Sequence, residues 1–204
     1  MTGAAAGTGR VVARRLAREG AAVVVADVDE SAGSATAAAI GGTFVRADMT
    51  EPGDVRAMVA AAPGLALLVN NAGGGGHVPP HFPEATPEQW GATLDLNLRG
   101  PMLATQLAIA AMPEGGAVIN VASTAGIEDA PYVSPEYGAA KAGLIRFTTA
   151  LAQHDGVRVS CVVPGWIATE RDPGAPIPME AVAQAVVDLA TDDGAAGRVT
   201  IIDP

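Results

Sequence analysis

Leu65-Ala66-Leu67-Leu68-Val69-Asn70-Asn71-Ala72-Gly73 is apolar for five residues and then meets two amides and a glycine. A short apolar run without polar alternation reads as a strand buried on both faces. Its polar end then faces a ligand, because open α/β sheets bind ligands at the carboxyl ends of their strands. Similar runs recur at residues 21–27, 43–48, 116–123, 157–165 and 199–203. Helical patterns separate them, at residues 10–19, 30–39, 54–62, 87–112, 134–154 and 179–191. This alternation predicts an α/β fold: a three-layer, doubly wound parallel sheet with right-handed crossovers. No repeat, linker or composition break divides the chain, so residues 1–204 read as one domain.

The flanks of that run supply the chemistry. Upstream, Thr2-Gly3-Ala4-Ala5-Ala6-Gly7-Thr8-Gly9 precedes a helical pattern. Its glycines would let backbone amides approach a pyrophosphate at a helix N-terminus. The alternative is an Ala/Gly-rich turn. Asp27 ends the next strand about 20 residues on, where a carboxylate holds ribose hydroxyls and repels a 2′-phosphate. Asp27 therefore points to NAD rather than NADP. Asp48 ends the third strand and either reaches the adenine edge or caps the turn beyond it.

Downstream, residues 73–87 form a Gly- and Pro-rich loop, read as lining a substrate mouth. Its His77 and His81 lack metal spacing and read as solvated loop residues. In the long helix 87–112, Leu94, Leu98, Met102, Gln106 and Ile109 share a face that Asn97 interrupts. A buried Asn needs hydrogen-bond partners, as a structural amide or in a polar relay. The helix from Ser134 has a plausible N-cap in Ser134, Pro135 at N1 and Glu136 at the positive end of the dipole. Tyr137 and Lys141 are one turn apart, so an ammonium lies beside a phenol and favours the phenolate. A tyrosine so poised moves protons to and from a substrate oxygen. Taken alone, the pair reads as a half-buried ring beside a solvated amine, and only the rest of the chain changes that. Residues 170–178 form a short proline-rich lid.

Composition narrows the field. The formal net charge of −10 argues against nucleic acid or an anionic membrane as partner. No apolar run approaches the ~20 residues of a membrane span, and no signal-peptide pattern opens the chain. The single Cys161 excludes an internal disulfide, fits a reducing cytoplasm and lies in an apolar run as a core residue. No His/Cys cluster has metal spacing.

Together these segments resemble the short-chain dehydrogenase/reductase family. Six elements carry the resemblance, in the family's order: Thr2-Gly3-x-x-x-Gly7-x-Gly9, Asn70-Asn71-Ala72-Gly73, Asn97, Ser123, Tyr137-x-x-x-Lys141, and Pro164-Gly165 with Thr169. The resemblance implies a Rossmann-type fold and a nicotinamide coenzyme. By it, Tyr137 is the general acid/base, and Lys141 lowers its pKa and holds the nicotinamide ribose. Ser123 hydrogen-bonds the substrate oxygen, and Asn97 positions a water linking Lys141 to solvent. Asn71, Ala72 and Gly73 pack by the adenosine half, while Pro164, Gly165, Ile167 and Thr169 flank the nicotinamide. Thr8 stands where the family usually has an aliphatic residue.

The expected activity is oxidation of a secondary alcohol, or reduction of a ketone, by a homo-oligomer (dimer or tetramer) built through its long helices. A catalytically inactive homologue that only binds NAD is the alternative. A nucleotide-sugar epimerase or dehydratase is disfavoured by the glycine spacing and the short C-terminal part. In the family a strand precedes the glycine loop, and here that strand is missing or truncated. It would lie between the strands ending at Asp27 and Asn70, so the natural chain is expected to start upstream by roughly 5–6 residues.

Overall fold

The computed structural model describes residues 1–75, 78–127, 134–170 and 172–203. Along them run α1 (Gly7–Arg18), β1 (Val24–Asp27), α2 (Glu30–Ile40), β2 (Thr43–Arg46), α3 (Pro52–Ala60) and β3 (Leu67–Asn70). Then come α4 (Pro87–Leu94), α5 (Gly100–Ala111), β4 (Gly116–Val121), α6 (Pro135–Ala150) and β5 (Val157–Pro164). The chain finishes through β6 (Ile167–Ala168), β7 (Ile177–Pro178), α7 (Met179–Thr191) and β8 (Val199–Ile202). His77 falls outside the described residues.

Every strand pair is parallel, in the order β2-β1 and β3-β4-β5-β8, with a small β6-β7 pair beside them. Met1 and Thr2 lie between the first two groups. Thr2 bridges Ala26 in parallel and donates its N–H to the Val69 carbonyl at 3.1 Å. The Ala26 N–H donates to the Met1 carbonyl at 2.9 Å. The place expected for the first strand is thus held by two residues, which join β1 to β3.

Successive strand residues face opposite layers. Val69 and Ile119 pack with Val12 and Leu16 of α1 and Val182 and Val186 of α7. Leu68 and Val118 pack instead with Val55 of α3 and Ala104 of α5. Leu144 of α6 lies over Cys161 and Val163. Cys161 is fully buried, as its apolar neighbours predicted, and burial pushes its thiol up to about 12.

Several boundaries differ from the sequence reading. α1 begins at Gly7 rather than residue 10, so Gly7, Thr8 and Gly9 form its first turn. The expected helix 87–112 is broken by a π-helical turn over Asp95–Arg99. That turn adds a residue and rotates the helix beyond it, so α5 buries Pro101, Ala104, Thr105 and Ala108 while Met102 and Gln106 face outward. Ser134 occupies the N-cap of α6 but makes no side-chain cap hydrogen bond; its carbonyl accepts the Tyr137 and Gly138 N–H groups at 3.1 Å.

Candidate active site

The site lies along the carboxyl ends of β1, β3, β4 and β5. Asn70 and Asn71 come directly at the end of β3, and their side chains point in different directions. Asn70 is 1 % exposed and donates to the Pro101 carbonyl (3.3 Å), Thr105 Oγ1 (3.1 Å) and Asn120 Oδ1 (2.9 Å). Asn120 in turn donates to Thr148 Oγ1 at 2.9 Å, tying β3, β4, α5 and α6 together. Asn71 reaches the glycine loop, donating to the carbonyls of Thr2 (3.2 Å) and Gly3 (3.0 Å). The Thr2 hydroxyl accepts the N–H groups of Asn71 and Ala72, each at 3.0 Å.

The glycine loop is built by backbone contact. A Cβ at Gly9 would lie 1.9 Å from the Gly3 carbonyl oxygen, and one at Gly3 would lie 2.7 Å from Ala72 Cα. Only glycine at both positions lets the loop, the first turn of α1 and the end of β3 meet. Ala6 gives α1 no side-chain cap, and its first turn carries no acid. The amides of that turn, near Gly7 and Thr8, are therefore left for an anion at the positive end of the helix. Asp27 ends β1 beside this loop. Its carboxylate accepts the Ala5 N–H (2.9 Å) and the Asp29 N–H (3.1 Å).

Asp48 caps the turn beyond β2: one oxygen accepts both the Thr50 N–H (2.9 Å) and the Thr50 hydroxyl (2.7 Å). Those two bonds hold its carboxyl below the usual 3.8.

Around Tyr137 the parts converge from three elements. Lys141 is one turn along α6, with Nζ 5.5 Å from the Tyr137 ring centroid. It is 4 % exposed and donates to the Val121 carbonyl at 3.0 Å, and burial lowers its pKa to about 8. Asn97 is fully buried within the π-helical turn. Its Oδ1 accepts the Gly74 N–H at 3.0 Å, and its amide donates to the carbonyls of Gly74 (2.9 Å) and Thr93 (3.0 Å). Gly73 lies between Asn97 and Lys141, since a Cβ there would be 2.8 Å from Asn97 Oδ1 and 3.1 Å from Lys141 Nζ.

Ser123 caps the 3-10 turn Thr124–Gly126, accepting the Ala125 N–H at 3.2 Å. Its own O–H remains available to donate. The turn packs directly on α6: a Cβ at Gly138 would lie 3.0 Å from the Ala125 carbonyl oxygen. Pro164 ends β5, and the Gly165 N–H donates to the Ile202 carbonyl at 2.9 Å. Ile167 opens β6, and Thr169 exchanges backbone bonds with Asp172 at 3.1 Å. Pro164 and Gly165 lie at the same sheet edge as Asn71 and Ser123, and Ile167 and Thr169 follow them in the separate β6–β7 pair and its bridge.

Sequence reasoning missed three features. The Thr2 hydroxyl was read only as part of the glycine motif, and the Asn120 amide lies inside an apolar stretch, the same signal that singled out Asn97. His81 is the third. It is not a solvated loop residue; its side chain is 14 % exposed, and Nδ1 lies 3.0 Å from Glu136 Oε1. A partner 55 positions away leaves no trace in local spacing. Among the described residues no cluster of metal-binding side chains occurs, and no helix is long and apolar enough to cross a membrane.

Known proteins resemble this chain in sequence and in fold. A family model described as short chain dehydrogenase matches residues 1–175. A putative ketoacyl reductase 2 of the granaticin polyketide synthase from Streptomyces violaceoruber is 37 % identical, over 100 % of this chain and 93 % of its own length. The 2,5-dichloro-2,5-cyclohexadiene-1,4-diol dehydrogenase of Sphingobium indicum is 36 % identical, over 83 % of this chain and 72 % of its own. A crystal structure of a short chain dehydrogenase from Burkholderia cenocepacia J2315 in complex with NADP superposes with a TM-score of 0.89 at 28 % identity, covering 99 % of this chain and 94 % of that one.

Proposed function

This chain belongs to the short-chain dehydrogenase family, and from that premise we propose that it interconverts a secondary alcohol and its ketone with Tyr137 as general acid/base. The family works with nicotinamide coenzymes on alcohol and carbonyl substrates. One observation carries the assignment: a buried Lys141 ammonium, held by the Val121 carbonyl, faces the Tyr137 ring at 5.5 Å. That charge favours the phenolate over the phenol.

The residues fit a dinucleotide. The uncapped first turn of α1 suits a pyrophosphate, and the carboxylate of Asp27 suits ribose hydroxyls. When bound, the coenzyme supplies the hydride acceptor or donor. The chain's own groups manage the proton. Ser123 donates its hydroxyl to the substrate oxygen and stabilises charge developing there. Tyr137 takes the alcohol proton, or returns it to the forming alcohol. Lys141 holds the phenolate in place, and Asn97 Oδ1, lying just across Gly73, orients a water that passes the proton onward. Pro164, Gly165, Ile167 and Thr169 bound the reacting end of the site.

NAD is the preferred coenzyme in this reading. Asp27 places negative charge where a 2′-phosphate would sit. Arg46, the cation paired with it across β1 and β2, is held by Asp54 at 3.0 Å. The outward face of α5, with Met102 at 40 % exposure, supports assembly into a homo-oligomer.

The test is parallel titration with NADH and NADPH, then turnover of a secondary alcohol by the native chain and by Tyr137→Phe. Tyr137→Phe is expected to abolish turnover and to retain coenzyme binding. Substantial residual activity in that variant would overturn the role of Tyr137.

A further inference from the structure

The segment before α4 touches the catalytic machinery at two points. It leaves β3 at Gly74, whose backbone is held on both sides by Asn97. It then crosses to the first turn of α6, where Glu136 receives it. Glu136 is 8 % exposed and adjoins Tyr137 in sequence. Burial would raise its carboxyl pKa, but hydrogen bonds from its own N–H, from His81 and from the Phe82 N–H outweigh that and hold it below the usual 4.5. A carboxylate only accepts, so His81 Nδ1 carries the proton it shares with Oε1 at 3.0 Å. The Phe82 N–H donates to Oε2 at 3.4 Å. The His81 carbonyl also accepts the Ala85 N–H at 2.9 Å, which braces the segment internally.

This fastening leaves the Phe82 side chain 60 % exposed where its N–H meets the first turn of α6. Seven large apolar side chains are exposed among the described residues. Four of them, Val78, Phe82, Ile127 and Trp166, lie on the segments that border the site: 78–86, the Ser123 turn, and the stretch after Pro164. None of residues 78–86, 123–127 and 164–170 is a lysine or arginine. Glu170 on this rim is paired with Arg10, and the Lys141 ammonium is buried toward the Val121 carbonyl. Among those described residues a phosphate or carboxylate on the substrate would meet no lysine or arginine except Arg10, already engaged by Glu170, whereas a hydrocarbon group would find apolar surface to cover.

Resting on the oxidoreductase reading above, we propose that the His81–Glu136 pair latches residues 78–86 onto the first turn of α6, making Phe82 an apolar wall that selects uncharged substrates with a hydrocarbon group beyond the reacting carbon. Phe82 determines specificity by contact. His81 is a positioning residue that acts through it.

The test uses the full chain with coenzyme and the homologous 2-alkanols from 2-propanol to 2-octanol. Log kcat/KM is expected to climb with chain length, by up to about fourfold per methylene buried. Phe82→Ser, at an exposed position, should flatten that climb. His81→Ala should flatten it too, with the loss largest for 2-octanol and smallest for 2-propanol. His81→Asn keeps an N–H donor near the Nδ1 position and should restore it. Amide hydrogen exchange within 78–86 should quicken at least tenfold in His81→Ala and return in His81→Asn. Calorimetric binding of 2-octanone and acetone to the protein with NADH reads the wall without turnover. Tighter 2-octanone binding that depends on Phe82, in a chain that turns over no alkanol, would uphold the wall and sink the oxidoreductase reading. A flat chain-length dependence in both kinetics and binding, or unchanged exchange in His81→Ala, would overturn the proposal.

Discussion

Asn97 Oδ1 and Lys141 Nζ flank one point in space, the missing Cβ of Gly73, at 2.8 and 3.1 Å. Asn97 comes from a π-helical turn and Lys141 from α6, so the end of β3 is the spacer that sets their separation. Gly73→Ala puts a methyl group into that gap. Either the Asn97 amide gives up its Gly74 bonds or Lys141 withdraws from the Val121 carbonyl. Displacements of about 1 Å in a catalytic group cost roughly 100-fold in rate. Gly73→Ala is therefore expected to lower kcat by about 100-fold. Steady-state kinetics beside a far-ultraviolet circular dichroism spectrum checks it; full activity in a folded variant contradicts the spacer role.

Lys141 also makes stability depend on pH. Burial lowers its pKa from 10.5 to about 8 in the folded chain. Below pH 8 both folded and unfolded chains carry the charge, and the folded chain bears the cost of burying it. Between pH 8 and 10.5 the unfolded chain binds the proton that the folded chain has lost, so stability rises with pH across this window. The rise from this group is up to roughly 3 kcal/mol. Lys141→Met removes the buried charge, so the variant should be more stable than the native chain near pH 7, with the gap closing by about pH 10. Urea unfolding of both chains at about pH 7, 8.5 and 10 measures it. A gap that is constant with pH refutes the buried charge as its source.

The parallel sheet was legible because its strands are short apolar runs that end in polar residues, as at Val69-Asn70-Asn71. Asn97 stood out as an amide interrupting an apolar helix face, Tyr137 and Lys141 by their one-turn spacing, and Ser123 through the family resemblance; the structure buries Asn97 and sets Lys141 Nζ 5.5 Å from the Tyr137 ring centroid. The sequence reading misplaced features that depend on backbone conformation or on distant partners. The π-helical turn at Asp95–Arg99 has no glycine or proline inside it, so periodicity ran straight through and assigned Met102 and Gln106 to the wrong face. Asn120 sits in a run read only for its apolar residues, and its meaning appears when Asn70 and Thr148 are brought to it by two other elements. His81 meets Glu136 only after the chain folds back across the sheet.

Gly126 governs how closely the Ser123 turn approaches α6. A Cβ there would lie 2.6 Å from Ala142 N and 2.7 Å from Lys141 C, both backbone atoms that cannot rotate away. Gly126→Ala must push the turn off α6 and shift the Ser123 hydroxyl with it. Overpacking of this kind costs about 1–3 kcal/mol of stability. The expected result is a lowered urea midpoint together with a kcat loss of about tenfold or more. A native midpoint and native kcat would mean that Ser123 does not depend on this contact.

Asp27 is predicted to exclude the 2′-phosphate of NADP by charge, and its surroundings say how to reverse that. Its two oxygens already accept the Ala5 and Asp29 N–H groups, so the side chain is fixed and its charge cannot swing aside. Arg46 lies opposite Asp27 in the β1–β2 register, yet its guanidinium is engaged by Asp54. Asp27→Asn removes the repulsion while keeping one acceptor. It should tighten NADPH about tenfold, a change of about 1.4 kcal/mol, and weaken NADH as the ribose contact is lost. Adding Asp54→Ala releases the Arg46 guanidinium toward the same phosphate and should tighten NADPH further, with a steeper salt dependence. Fluorescence titration of both coenzymes at low and high ionic strength measures all three effects. Equal NADH and NADPH affinity in the native chain, or NADPH binding that ignores both substitutions, would remove Asp27 as the selector.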